Sequence, residues 1–212
     1  MRLRWLPILL VTALLFSVLP VKSVQAVRGI PGSAEFGYGA RINLNGPQLE
    51  QGLQLAGALR LDWLTIDLSW SALMPDPTAA INFSRLDLVM KAAAQNQTNV
   101  LFSITQPPAW ALTAQGPNPN LVSVLIQMLN ARYPDSFQAV ELFPGANTIA
   151  GWGKTPDPMA YWNVFSIVKT KMQDNGIGVE LIAGGLEIIE DQTAGSINEV
   201  DFLRGLYQAG AI

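Results

Sequence analysis

Short runs of β-forming residues alternate with longer runs of helical periodicity five times along this 212-residue chain. That alternation is the pattern of a parallel sheet, because parallel neighbours need a long crossover and a helix supplies it. The expected strands cover residues 36–42, 63–70, 100–105, 137–143 and 179–183, so that successive units begin 27, 37, 37 and 42 residues apart. Between them, Leu49, Leu53, Ala56 and Leu59 recur at helical spacing behind Asn45-Gly46-Pro47, a cap followed by a Pro suited to a first helical turn. Asn82 or Ser84 is placed to cap a helix carrying Leu86, Val89, Met90 and Ala93. Further helices are expected over 120–131, 158–173 and 197–208, the second ending at Asn175-Gly176.

No linker, repeat of low complexity or charge block divides the five units, so one α/β domain is expected over residues 27–212. Two architectures satisfy the pattern: a complete five-stranded doubly wound sheet, or five units of an eight-unit (β/α) barrel, which needs about 250 residues. A doubly wound nucleotide site would carry a glycine-rich loop after the first strand. Here Phe36-Gly37-Tyr38-Gly39-Ala40-Arg41 sets its glycines inside the strand and lacks a third.

Ahead of these units, Arg2 and Arg4 form a basic head, residues 5–20 an apolar run, and Val24-Gln25-Ala26 a small-x-small cleavage site. Residues 1–26 therefore read as an export signal, and the run is short and proline-bounded for a spanning anchor. The expected location is outside the cytoplasm, with no membrane attachment once the signal is cut. Cleavage leaves 10 basic against 16 acidic side chains, a net charge of about −6 that disfavours a nucleic-acid partner. The chain has no Cys and no His, which excludes Ser/His/Asp triads, thiol nucleophiles, disulfides and His- or thiolate-bound zinc. Neither metal nor cofactor is implied, and carboxylates must do any acid or base work.

Four stretches, in order, carry a family likeness: Leu68-Ser69-Trp70-Ser71 leading to Pro75; Asn82-Phe83-Ser84-Arg85-Leu86-Asp87; Pro107-Pro108-Ala109-Trp110-Ala111; and Ala131-Arg132-Tyr133-Pro134. With Ala183-Gly184-Gly185-Leu186, they make the chain resemble the clan A glycoside hydrolases, (β/α)8 enzymes that cleave polysaccharides. The likeness implies a partial TIM-type barrel of about five parallel βα units. In that family strand four ends in Asn-Glu-Pro, often followed by Asn, and the Glu is the general acid/base. Aligned on Val140-Glu141 and Asn147, those three positions hold Pro144, Gly145 and Ala146. The likeness thus implies that the acid/base is missing, and that the nucleophile, on the family's strand seven, lies beyond Ile212. Glu141 sits about 13 Å deeper than the acid/base position at ~3.3 Å per residue and is expected to be a buried structural group.

Asp67 and Glu187 remain as carboxylates able to face the mouth, with a hydrogen-bonded structural role as the alternative for Asp67. Trp70, Trp110 and Trp152 each follow a strand at its C-terminal end, where indole faces suit the apolar faces of sugar rings; packing under long loops is their other reading. Arg41, Asn43 and Gln106 are placed to bond sugar hydroxyls, and Asn147 keeps the Asn that follows the family motif. Trp162 and Tyr161 read as helix packing, and Asn82 and Asn96 stand in glycosylation sequons. The expected protein is a secreted, truncated glycoside-hydrolase relative that binds an oligo- or polysaccharide and is catalytically impaired. The alternatives are the N-terminal fragment of a glycosidase whose catalytic half is missing, and a non-catalytic structural or interaction module. An open sheet edge and an uncovered sheet face further suggest self-association.

Overall fold

The computed structural model describes residues 37–78, 80–189 and 195–211; the expected signal, 1–26, and Phe36 lie outside them. Five strands, β1 (Gly39–Asn43), β2 (Trp63–Ser69), β3 (Asn99–Thr105), β4 (Ala139–Leu142) and β5 (Glu180–Ala183), pair in parallel in the order β1-β2-β3-β4-β5. Spatial order follows chain order, so no switch point exists and the doubly wound alternative falls. The connections hold α1 (Leu49–Ala58), α2 (Trp70–Leu73), α3 (Ser84–Asn96), α4 (Pro119–Arg132), α5 (Ile149–Trp152) and α6 (Pro158–Asp174), and α7 (Glu199–Gln208) follows β5. The chain is an α/β fold of five βα units in one open sheet.

Local chemistry accounts for several of the boundaries and for where they depart from the expected ones. β2 stops at Ser69, one residue early, because the Ser69 hydroxyl accepts from the Ala72 N–H (3.3 Å) and caps a helical turn that begins at Trp70. Pro47 lies ahead of α1, whose cap position is Gln48, and Leu59 falls past the helix and is exposed. The cap position of α3 is Phe83, with no side-chain cap bond; of the two expected caps, Asn82 lies one residue before it, its side-chain oxygen accepting from the Ser84 N–H (3.0 Å) and hydroxyl (2.7 Å), and Ser84 is the first helical residue. Phe137 and Phe143 are buried but flank β4 rather than belong to it. Asn118 with Pro119, and Asp157 with Pro158, open α4 and α6 as side-chain caps followed by a first-turn proline.

One sheet face is apolar and the other polar. Leu64, Ile66, Leu68, Val100, Phe102, Ile104, Val140 and Leu142 are buried under the helices, in a core with Leu86, Val89, Ile126, Leu129 and Val168. The alternate residues, among them Arg41, Asn43, Thr65, Asp67, Ser103 and Glu141, lie on the opposite face. Parallel strands covered on both faces read as continuous apolar runs; these strands alternate. Across β2 and β3 the Arg41 guanidinium on β1 comes within 3.5 Å of Glu141 on β4.

Two ties hold the helix layer. Asp87 on α3 accepts from Arg132 at the end of α4 (2.7 and 3.3 Å) and from the Tyr133 hydroxyl (2.6 Å). Arg132 also stacks over Phe83 (5.3 Å), which meets Tyr133 edge-on at 6.0 Å. Closer to the sheet, the buried Tyr161 hydroxyl donates to the Leu142 carbonyl (3.0 Å) and accepts from the Gly184 N–H (2.8 Å), fastening the ends of β4 and β5 together. Burial pushes the Tyr161 phenol well above its usual pKa, so it stays a donor.

Candidate functional site

The C-terminal ends of parallel strands are where this architecture presents its chemistry, because loops diverge there over a rigid sheet. The strand register sets Asn43, Asp67, Ser103, Glu141 and Ile182 in one row across all five strands. Arg41, one step deeper on β1, reaches up to this row. Its guanidinium pairs with Asp67 (2.6 Å) and approaches Glu141 (3.5 Å). Glu141 also accepts from the Ser103 hydroxyl (2.6 Å) and from the Gly185 N–H (3.1 Å). Its side chain is only 12% exposed, so this carboxylate is committed to three groups from three segments.

Above the row stand side chains with free polar capacity. Ser69 donates to the Gln106 side-chain oxygen (2.7 Å), which leaves the exposed Gln106 amide N–H groups directed elsewhere. Gln106 itself has positive φ (+49°), and its carbonyl accepts from the Ser71 N–H (3.0 Å), so the loop after β3 is pinned to the start of α2. Asn43 is exposed, and its side-chain oxygen accepts from the Asn45 N–H (2.9 Å). Glu187, after β5, is exposed, and its carboxylate has no hydrogen-bond partner among the described residues.

Glu187 is nevertheless held in place from behind. Asn147 is fully buried: its oxygen accepts from the Glu187 N–H (2.9 Å) while its amide donates to the carbonyls of Glu187 (2.8 Å) and Ile197 (2.9 Å). Every bond of that side chain is to backbone. Beside it, Gly145 adopts φ of +74°, and a Cβ there would lie 3.1 Å from Glu187 Cγ and 3.3 Å from Oε1. The Glu187 carboxylate fills the space in front of the position that lacks a side chain.

The structure sorts the residues expected from sequence. It brings Arg41, Asn43, Asp67, Gln106 and Glu187 to the mouth side of the sheet. Asn147 is corrected to an internal clamp, since its amide and oxygen are both spent on main chain. Trp70 and Trp152 are corrected as well: they are 1% and 0% exposed, so neither offers a ring face to a ligand. Trp152 packs edge-on to Phe143 (5.8 Å) and near Tyr161 (5.6 Å), and donates to the Gln115 carbonyl (2.9 Å). Gly116, at φ +143°, leaves room that a side chain would take from that indole. Trp110 is half-buried, edge-on to Trp70, with its N–H on the Met74 carbonyl (3.3 Å). The expected depth of Glu141 agrees with its burial. Ser69 and Ser103 escaped the sequence reading, although their parity with Asp67 and Glu141 was the available signal.

No family model matches the sequence, and no curated protein matches it. Solved structures do resemble the fold. They include the family 39 glycoside hydrolase of the gut symbiont Bacteroides cellulosilyticus WH2, with TM-score 0.55 and 14% identity over 70% of this chain and 31% of that one. The GH39 enzyme of Xanthomonas axonopodis pv. citri gives 0.52 and 11% over 69% of this chain and 34% of its own. A β-glucosidase of Thermotoga maritima gives 0.52 and 10% over 72% and 49%. The chain spans about a third of the length of the two family 39 enzymes. At these identities the likeness is one of fold alone: a partial TIM-type barrel.

Proposed function

We propose that this protein is an extracytoplasmic glycoside-hydrolase-like chain that binds an oligo- or polysaccharide at the mouth of its sheet and hydrolyses it poorly or not at all. The observation that carries the reading is Gly145. Where the family likeness implies a proton-donating Glu, the backbone is left-handed and carries no side chain, and the space ahead of it is occupied. Exposed Asn43, Gln106 and Glu187, with the half-exposed Arg41–Asp67 pair, supply donors and acceptors for sugar hydroxyls. The apolar run and cleavage site over residues 1–26 support export. Exposed apolar side chains on α1 and α7 support self-association.

The test is a calorimetric titration of residues 27–212 with β-linked gluco- and xylo-oligosaccharides, run beside an assay for product release. Saturable binding without turnover is the expected result. Absence of binding to every oligosaccharide would overturn it in favour of a structural module.

Glu187 supports a second reading, in which a carboxylate from the β5 loop acts as a relocated proton donor in front of Gly145. Slow turnover abolished by Glu187→Gln, with saccharide affinity retained, is what that reading requires. Proton transfer by a positioned group contributes typically ~10² to 10⁴ in rate, and without a second carboxylate at about 5 to 9.5 Å the double displacement or inversion has no partner.

A further inference from the structure

The helices that follow the first and last strands, α1 and α7, carry the same pattern at opposite ends of the helix layer. α1 packs on α3 beside Gly57, where a Cβ would meet the Asn96 side chain at 2.7 Å. α7 packs on α6 beside Gly205, where a Cβ would meet Pro158 at 2.6 Å. Each glycine thus marks the side of its helix that faces the inner neighbour. At ~100° per residue, positions two before and two after such a glycine lie about 160° around the helix from it. On α1 those positions are Leu55 and Leu59; on α7 they are Leu203 and Tyr207, with Val200 on the same side. All five are 45–62% exposed. Both stripes therefore point away from the neighbouring helix, outward at the two flanks. The strands that precede these helices, β1 and β5, are the two edges of the sheet and have no outer neighbour among the described residues.

The geometry points to a docking surface for a second copy of this chain: the β5/α7 flank of one copy receives the β1/α1 flank of the next, head to tail. Charge selects that pairing. The register sets Arg41, Thr65, Leu101, Ala139 and Glu180 in one row across the sheet. A β1 strand added in parallel beyond β5 in the same register sets its Arg41 beside Glu180, opposite charges on adjacent strands. The same addition brings Leu55 and Leu59 of one copy against Leu203 and Tyr207 of the other, burying both stripes. Unlike flanks meet, so the contact is heterologous rather than two-fold. It also lengthens the polar mouth, because Asn43 of the added copy continues the row Asn43, Asp67, Ser103, Glu141 and Ile182. This arrangement rests on the self-association proposed above and specifies its surfaces; it does not depend on saccharide binding.

The test uses residues 27–212, which hold every described element, in sedimentation equilibrium at concentrations up to ~100 μM. The parent is expected to associate. One variant, Leu55→Glu with Leu59→Glu, loses the α1 flank and keeps α7; the other, Leu203→Glu with Tyr207→Glu, loses α7 and keeps α1. Each alone is expected to stay monomeric, and their equimolar mixture to form a 1:1 dimer and nothing larger, because only one intact pair of unlike flanks remains. Circular dichroism and urea midpoints equal to the parent's report the fold of each variant; where a Glu pair fails that check, the Gln pair at the same positions replaces it. Glu180→Lys in the parent is expected to raise the dissociation constant at least about threefold. Association of either variant alone as strong as the parent's, or a mixture that stays monomeric, would overturn the head-to-tail contact while leaving self-association standing. An unchanged dissociation constant in Glu180→Lys would overturn the pairing of β5 with β1. A parent that stays monomeric throughout would overturn both this arrangement and self-association, and would leave the flanks to a different chain.

Discussion

Gly145 and Asn147 show how two residues of one turn act in opposite senses. Gly145 permits a left-handed conformation that costs a side-chain-bearing residue roughly 1–2 kcal/mol, and its missing Cβ leaves Glu187 its place. Gly145→Glu is therefore expected to destabilise the fold by about 1–3 kcal/mol in urea unfolding, without creating hydrolysis; stability equal to the parent would show that the turn relaxes. Asn147 does the reverse, using a full side chain to bind three backbone groups from two segments. Asn147→Leu leaves a donor and two carbonyls without their partner, each worth about 1–3 kcal/mol when buried. A loss of at least about 2 kcal/mol is expected, together with faster amide exchange at Glu187, whose N–H donates to the Asn147 side chain. Protection unchanged at that amide would refute the clamp.

At the level of elements, the junction of α3 with the end of α4 depends on Asp87. The hydrogen bond and charge of Arg132, followed by the Tyr133 hydroxyl bond, hold the Asp87 carboxyl below its ordinary pKa, while burial and Asp87 itself push the Tyr133 phenol upward. A carboxyl with a depressed folded pKa stabilises above its unfolded value, about 3.9, and loses that contribution as pH falls through the folded one. Parent and Asp87→Asn are thus expected to differ in urea midpoint at pH 6 and to converge as pH drops below about 4. A gap that persists at pH 2 would show that the difference arises from something other than this ionisation. The pair is solvent-exposed, so added salt should narrow the gap at pH 6.

The molecule as a whole meets solvent with one well-suited face and two ill-suited flanks. Arg41, Asn43, Thr65, Asp67 and Glu141 make the face away from the helices largely polar, which weakens the uncovered sheet face as a reason to expect association. Exposed apolar side chains on the helix flanks supply a reason separate from the sheet edges expected from sequence. Leu55 and Leu59 at α1, and Val200, Leu203 and Tyr207 on α7, are 45–62% exposed, and the α7 residues fall at helical spacing on one stripe. Light scattering of residues 27–212 is expected to show concentration-dependent association that Leu203→Glu with Tyr207→Glu reduces. A monodisperse monomer at all concentrations would remove the flanks as contact surfaces.

Periodicity in the chain was sufficient for the five βα units, because strand and helix patterns are local and each unit carries its own apolar face. Leu64, Ile66 and Leu68 alternate, Val89 and Ala93 repeat one turn apart, and these signals survive without knowledge of neighbours. Family-like stretches pointed to a barrel rather than a doubly wound sheet, and the spatial order of strands agrees. Side-chain destinations were not legible in the same way. Trp70 and Trp152 sit where rim residues belong, yet a capped turn at Ser69 and the room left by Gly116 turn both inward. Asn147 looked like a ligand contact until Glu187 and Ile197, 40 and 50 residues away, took its hydrogen bonds. Such outcomes depend on which distant backbone groups lack partners after packing, a quantity that no local window of sequence contains.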